Sequence, residues 1–182
     1  MKRIAYTLLL LALTACENHP LPVELLEPQP AVYGQIEREF YLKGKIAVGE
    51  FKYQAAHKHL APLYADTNIA VANALRKAGY LSGDASHAPY FLTGIIKDVQ
   101  NPKCLFANCD TGSAIEYTLT DTEEDVVVYH ELLVVPYTYD IPLLGGDEVM
   151  IIQHGYGGAI GNNIAHLLHV LNQKTKSDLQ ED

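Results

Sequence analysis

The sequence predicts an α+β domain, with one mostly antiparallel sheet of about four strands and two helices packed on one face. Two stretches, at positions 63–78 and 149–171, carry apolar residues at three- and four-residue spacings, as amphipathic helices do. Before and between them run short segments in which apolar and polar residues alternate, divided by turn-forming residues. The chain has 182 residues, enough for a single domain with its own core.

The first strand is expected near residues 44–52, where Lys45-Ile46-Ala47-Val48-Gly49-Glu50-Phe51 alternates imperfectly. A helix follows. Leu63, Thr67, Ala70, Val71, Ala74, Leu75 and Ala78 share one face, Pro62 suits the first turn, and Gly79 stands where left-handed backbone commonly ends a helix. Further strands are expected at about 89–99, 113–121 and 125–135, with Asp121-Thr122-Glu123-Glu124 as the turn that makes the last two antiparallel. The final helix keeps Val149, Ile152, Tyr156, Ala159, Ile160, Asn163, Ile164, Leu167, Leu168 and Leu171 on one stripe. Asp147 is placed to cap it, and Glu148 faces its positive end.

Gly155, Gly157, Gly158 and Gly161 interrupt that stripe, each at about 1 kcal/mol relative to alanine inside a helix. Three readings stay open: close backbone approach against the sheet, a break from loop to helix near 155–158, or a phosphate-cradling loop. The third departs from the patterns that chemistry requires. There is no G-x-x-x-x-G-K-[ST], and Ile160 takes the last glycine place of a G-x-G-x-x-G begun at Gly155.

The amino terminus has the layout of a secretory signal: Lys2 and Arg3, then apolar residues from Ile4 to Leu13, then small residues. That apolar core is too short to cross a bilayer of ~30 Å. Leu13-Thr14-Ala15-Cys16 resembles the bacterial lipobox, which implies diacylglycerol on the Cys16 thiol and cleavage that leaves Cys16 first. The resemblance implies two or three acyl chains there, palmitate among them, and so stable anchoring where one chain would hold only reversibly. Glu17, not Asp, follows the cysteine, which by the enterobacterial sorting rule implies the outer membrane. The expected organisation is a signal peptide at 1–15, the lipidated cysteine and a Pro-rich tether at 16–40, a periplasmic domain at 41–174 and a disordered polar tail at 175–182. Pro20, Pro22, Pro28 and Pro30 hold the tether extended, and some fifteen such residues reach ~40 Å at ~3.1 Å each.

With Cys16 assigned to lipid, Cys104 and Cys109 remain as an even pair in an oxidising compartment. A disulfide between them is expected to contribute ~2 kcal/mol by closing a short loop. A closed zinc site needs four ligands, and redox pairs usually have two intervening residues rather than four.

The lipobox, the Pro-rich segment, the stretch at 72–81 (Ala-Asn-Ala-Leu-Arg-Lys-Ala-Gly-Tyr-Leu) and that at 157–164 (Gly-Gly-Ala-Ile-Gly-Asn-Asn-Ile) are similar to small uncharacterised Gram-negative lipoproteins. The order of elements over roughly 44–172 also resembles the lipopolysaccharide-assembly lipoprotein and the auxiliary lipoproteins of envelope transporters. That second resemblance is one of topology, and topology does not carry activity.

Catalytic patterns are absent from the sequence: no serine stands in G-x-S-x-G, and Glu123-Glu124-Asp125 reads as a solvated turn. Net charge is −9, and about −11 once Lys2 and Arg3 are removed with the signal, which argues against nucleic acid. Among eight histidines, His57 and His59 fall on one side of an extended segment and His166 and His169 on one helix face. Together they offer a candidate transition-metal site, against the plainer reading of surface histidines. The sequence therefore leads to a non-enzymatic envelope lipoprotein without cofactor. It is held to the membrane through Cys16 and binds another envelope protein through a sheet edge or the face opposite the helices. The alternative is a binding protein for a transition metal or small apolar ligand.

Overall fold

The structure, a computed structural model, describes residues 21–37, 40–54, 67–141 and 148–179. Its elements in chain order are the one-turn helices α1 (Val23–Leu26) and α2 (Pro30–Tyr33), strand β1 (Ile46–Tyr53) and helix α3 (Thr67–Ala78). Strands β2 (Tyr90–Val99), β3 (Lys103–Leu105), β4 (Asn108–Asp121) and β5 (Val126–Asp140) follow, and then helix α4 (Glu148–Gln173). Pro62 and Leu63, expected in the first turn of α3, and the expected cap Asp147 lie outside the described residues. No helix among the described residues is long and apolar enough to cross a membrane.

The sheet has five strands where about four were expected; three of its four pairings are antiparallel, in line with a mostly antiparallel sheet, and one parallel pairing makes it mixed. β1 runs parallel to β2; β4 pairs antiparallel with β2 and β3 along one edge and with β5 along the other. The cause is the crossover. A strand that returns through a packed helix such as α3 comes back in the same direction, whereas tight turns reverse it. The three-residue β3 is exposed at every position, so it lacks the alternation by which a strand is read from sequence.

Local chemistry explains the boundaries that the sequence predicts. Gly79 takes φ +84, Tyr80 N–H donates to Leu75 O at 2.8 Å and Gly79 N–H to Arg76 O at 3.1 Å, so α3 ends in a Schellman motif. At the β4–β5 turn the Asp121 carboxylate accepts from the Glu123 and Glu124 N–H groups, and Glu123, Glu124 and Asp125 are exposed as expected.

The core lies between one face of the sheet and α3 and α4. Leu92, Ile96, Ile115, Tyr117, Leu119 and Leu133 project into it from the strands; Val71, Leu75, Ile160, Ile164 and Leu167 meet them from the helices. α4 is continuous through all four glycines, so neither the loop break nor the phosphate loop is formed. The glycines serve two neighbours. A Cβ on Gly155 would stand 2.5 Å from Pro102 and 2.7 Å from the Tyr139 hydroxyl, and one on Gly158 would enter the Tyr137 ring. On another side of the helix, Gly157 lies against Leu25, and Gly161 against the Glu27 carbonyl, which a Cβ would approach to 2.8 Å. Half of the expected approach to the sheet is thus an approach to the amino-terminal segment.

That contact overturns the extended tether from residue 21 onward. Leu21 and Leu26 are fully buried in the core, and Asn73 Nδ2 and Lys77 Nζ both bond the Glu27 carboxylate. Glu37 N–H donates to Asn172 Oδ1 at 3.1 Å. Prolines bound the one-turn helices without keeping the chain off the domain: Pro22 precedes α1, and Pro30 opens α2 at a position where its missing N–H does no harm. The polar tail is corrected as well. Residues Ser177–Leu179 form a 3-10 turn that buries Leu179, and Asp178 accepts from Thr175 N–H at 2.7 Å.

Candidate functional surface

Successive residues of a strand point to opposite sides, and the described helices cover one side of the sheet. On the other side Phe91 and Ile95 of β2 and Leu132 and Val134 of β5 remain 41%, 37%, 50% and 64% exposed. Register aligns them. Lys52, Ile95, Glu116 and Leu132 form one row across β1, β2, β4 and β5, while Ala114 and Val134 form part of the next. Gly49 widens the face, since a side chain there would collide with the Phe91 ring.

A charged cluster sits in the middle of this apolar surface. Glu116 Oε2 lies 2.5 Å from Lys97 Nζ, and Glu116 Oε1 lies 2.9 Å from His130 Nε2. The hydrogen bond from Lys97, then that from His130, holds the Glu116 carboxyl below the usual glutamate range. The face is therefore apolar with a fixed ionic centre. A complementary protein surface can pair that centre, whereas lipid tails cannot.

The second exposed feature is the β3–β4 hairpin. Cys104 and Cys109 stand directly opposite each other and are joined by a disulfide, as expected. The loop beyond them is Phe106-Ala107, and Phe106 takes φ +57, left-handed backbone that bulky side chains rarely adopt. Leu105 and Phe106 are 73% and 91% exposed.

The remaining site residues fall as follows. Cys16, His57 and His59 lie outside the described residues. His166 and His169 are exposed neighbours on α4 and line a shallow cleft of about 300 Å³ with Val32, Gln35, Ile36, Val135, Asn162 and Ala165. His169 Nε2 lies 3.1 Å from Gln173 Nε2. Among the described residues no three His, Cys, Asp or Glu side chains are grouped to hold a metal ion.

The most buried polar groups act structurally. Burial raises the Tyr117 and Tyr80 phenols well above their ordinary value, so both are neutral donors, Tyr117 to Asn163 Oδ1 at 3.0 Å and Tyr80 to Leu168 O at 2.9 Å. Two signals for the exposed features stand in the sequence, beyond the periodicities that predict the elements. Residues 126–135 are apolar at both odd and even positions, which makes both faces of the strand apolar, and Leu105-Phe106-Ala107 occupies a turn usually given to Gly, Asn or Asp.

No protein-family model matches the chain, and no curated protein matches it in sequence. Solved structures do share its fold. A protein of Xanthomonas campestris belonging to the DUF330 family aligns with TM-score 0.54 at 12% identity, over 86% of this chain and 95% of that one. A hypothetical protein of Chlamydia trachomatis aligns with TM-score 0.50 at 11% identity, over 70% and 94%. A Caulobacter crescentus protein described as a lipoprotein aligns with TM-score 0.45 at 14% identity, over 78% and 93%. At such identities the property common to this chain and the first two is the fold.

Proposed function

We propose that this chain is a non-enzymatic lipoprotein of the cell envelope, anchored through Cys16, whose uncovered sheet face binds another envelope protein. The observation that carries the reading is the set of apolar side chains Phe91, Ile95, Leu132 and Val134 left exposed around the Lys97–Glu116–His130 cluster. Exposed apolar area of this kind marks a contact surface, and the charges within it give a partner's complementary charges something to pair with. The lipobox-like Leu13-Thr14-Ala15-Cys16 supports the anchor, and Glu17 supports the outer membrane.

A photo-crosslinker at Thr118, within the face, tests the contact in intact cells. It should give one discrete product that disappears when Leu132→Lys and Val134→Lys are combined, while the protein stays folded. A product that survives the double variant removes the face from the reading. Cys16→Ser should abolish fatty-acid labelling and release the protein from the membrane fraction; continued acylation would remove the anchor.

A second reading rests on the cleft beside His166 and His169. If it holds metal, the purified chain should carry a near-stoichiometric transition metal that His166→Ala releases.

A further inference from the structure

The sheet end that carries the hairpin and the amino-terminal segment approach the same part of α4: Cys109 pairs with Tyr139, whose hydroxyl donates to Ile151 O at 2.7 Å. Gly155 is packed against Pro102, which leads into β3, and Gly157, one half-turn on, is packed against Leu25 of α1. From Leu25 the chain passes Glu27 at Gly161, so this segment runs along α4 away from Gly155. Only residues 17–24 separate Cys16 from Leu25 at Gly157, and fully extended backbone covers at most about 32 Å over that stretch. A lipidated Cys16 therefore holds this end of the domain within reach of the bilayer surface.

At the same end stand Leu105 and Phe106, the most exposed large apolar side chains among the described residues. Phe106 is kept in its left-handed backbone by a hairpin that the Cys104–Cys109 bridge closes two residues away on one strand. Pre-organisation of this kind lowers the entropy that binding would otherwise cost. Lys103 lies two residues behind Leu105, about 7 Å along the strand, where an ammonium meets phosphate head groups while the tip meets acyl chains.

We infer that Leu105 and Phe106 form a second membrane contact, a disulfide-braced tip that enters the interface of the bilayer in which Cys16 is anchored. The inference rests on the proposed lipid anchor. Two side chains bind a membrane feebly by themselves, but the anchor converts their insertion into a local event at high effective concentration. With two points fixed, the domain turns only about the line that joins them, and its ionic sheet face is left to a protein.

The chain contains no tryptophan, so Phe106→Trp gives a single fluorescent reporter at a fully exposed site that does not enter the core. The full lipidated protein is placed in vesicles of phosphatidylethanolamine and phosphatidylglycerol, with a separate Val134→Trp variant as the second reporter and the acylated mass of each checked beforehand. The expected result is a blue-shifted emission from the Phe106→Trp variant that brominated acyl chains quench and aqueous iodide does not. The Val134→Trp variant should show the reverse. Equal iodide quenching of both reporters on an acylated chain overturns the tip alone. A blue shift without quenching by brominated lipid signals contact with a second copy and also overturns it. A chain unmodified at Cys16 overturns the anchor and the inference with it.

Discussion

Asn163 is fully buried, its amide nitrogen donating to Leu133 O at 2.9 Å and Ser113 O at 3.1 Å while its oxygen accepts from Tyr117. One side chain on α4 thus closes bonds to the adjacent strands β4 and β5, and Ser113 returns a bond to Ala159 O at 2.9 Å. Asn163→Leu strips the buried Tyr117 hydroxyl of its acceptor, and the urea midpoint should fall by the equivalent of about 2–4 kcal/mol. Tyr117→Phe should cost less. The double variant should cost less than the sum, because the two share one bond. Tyr33 makes a prediction in pH. Burial, and secondarily the Glu27 carboxylate, pushes its phenol up to about 12 from an ordinary value of 10.0. Stability tied to a raised pKa is complete below the unfolded value and is lost as pH rises through the folded one. Urea midpoints should therefore decline from about pH 10 towards about pH 12, and Tyr33→Phe should flatten part of that decline.

At the scale of elements, α4 inverts an ordinary rule. Replacing glycine by alanine inside a helix commonly stabilises by about 1 kcal/mol. At Gly161 the added Cβ would stand 2.8 Å from a backbone carbonyl of residue 27, which cannot rotate away as a side chain can. Gly161→Ala should lower the melting temperature, by the ~1–3 kcal/mol typical of overpacking, with α1 displaced from the helix. The β3–β4 hairpin should respond differently. Reducing the disulfide removes ~2 kcal/mol, about 5 °C in melting temperature, while the far-ultraviolet spectrum of the sheet persists. The two long helices and the strands β1, β2 and β4 were legible because each carries a period set by one buried face, and β5 was legible as an apolar, β-branched run after a turn. The parallel direction of β1 was not, since direction comes from the connection and no residue of β1 encodes it. The ionic cluster was equally invisible, because Lys97, Glu116 and His130 meet only through strand register. The disulfide was readable from count and spacing; the exposed apolar tip it braces was readable too, in a turn whose residues are unusual.

For the molecule as a whole, the amino-terminal segment is part of the core and no spacer. Prolines at 22, 28 and 30 disguise this, because the same residues that deny long helices also permit one-turn ones. Leu26→Ala should therefore destabilise like any core truncation, by about 2–5 kcal/mol in denaturant titration, where a tether residue would give no change. The docking of α1 on α4 also has a consequence in time. The surface that covers Leu26 is made by residues some 130 positions later, and at about 5–20 residues per second the ribosome takes roughly 7–25 s to reach them. Throughout that interval the leading segment has only α3 to meet, through Asn73 and Lys77 at Glu27, and lacks the larger surface of α4. The chain is thereby kept open until its last helix is synthesised, which is the state in which a polypeptide can still be threaded and in which a holding chaperone finds exposed leucines to grip.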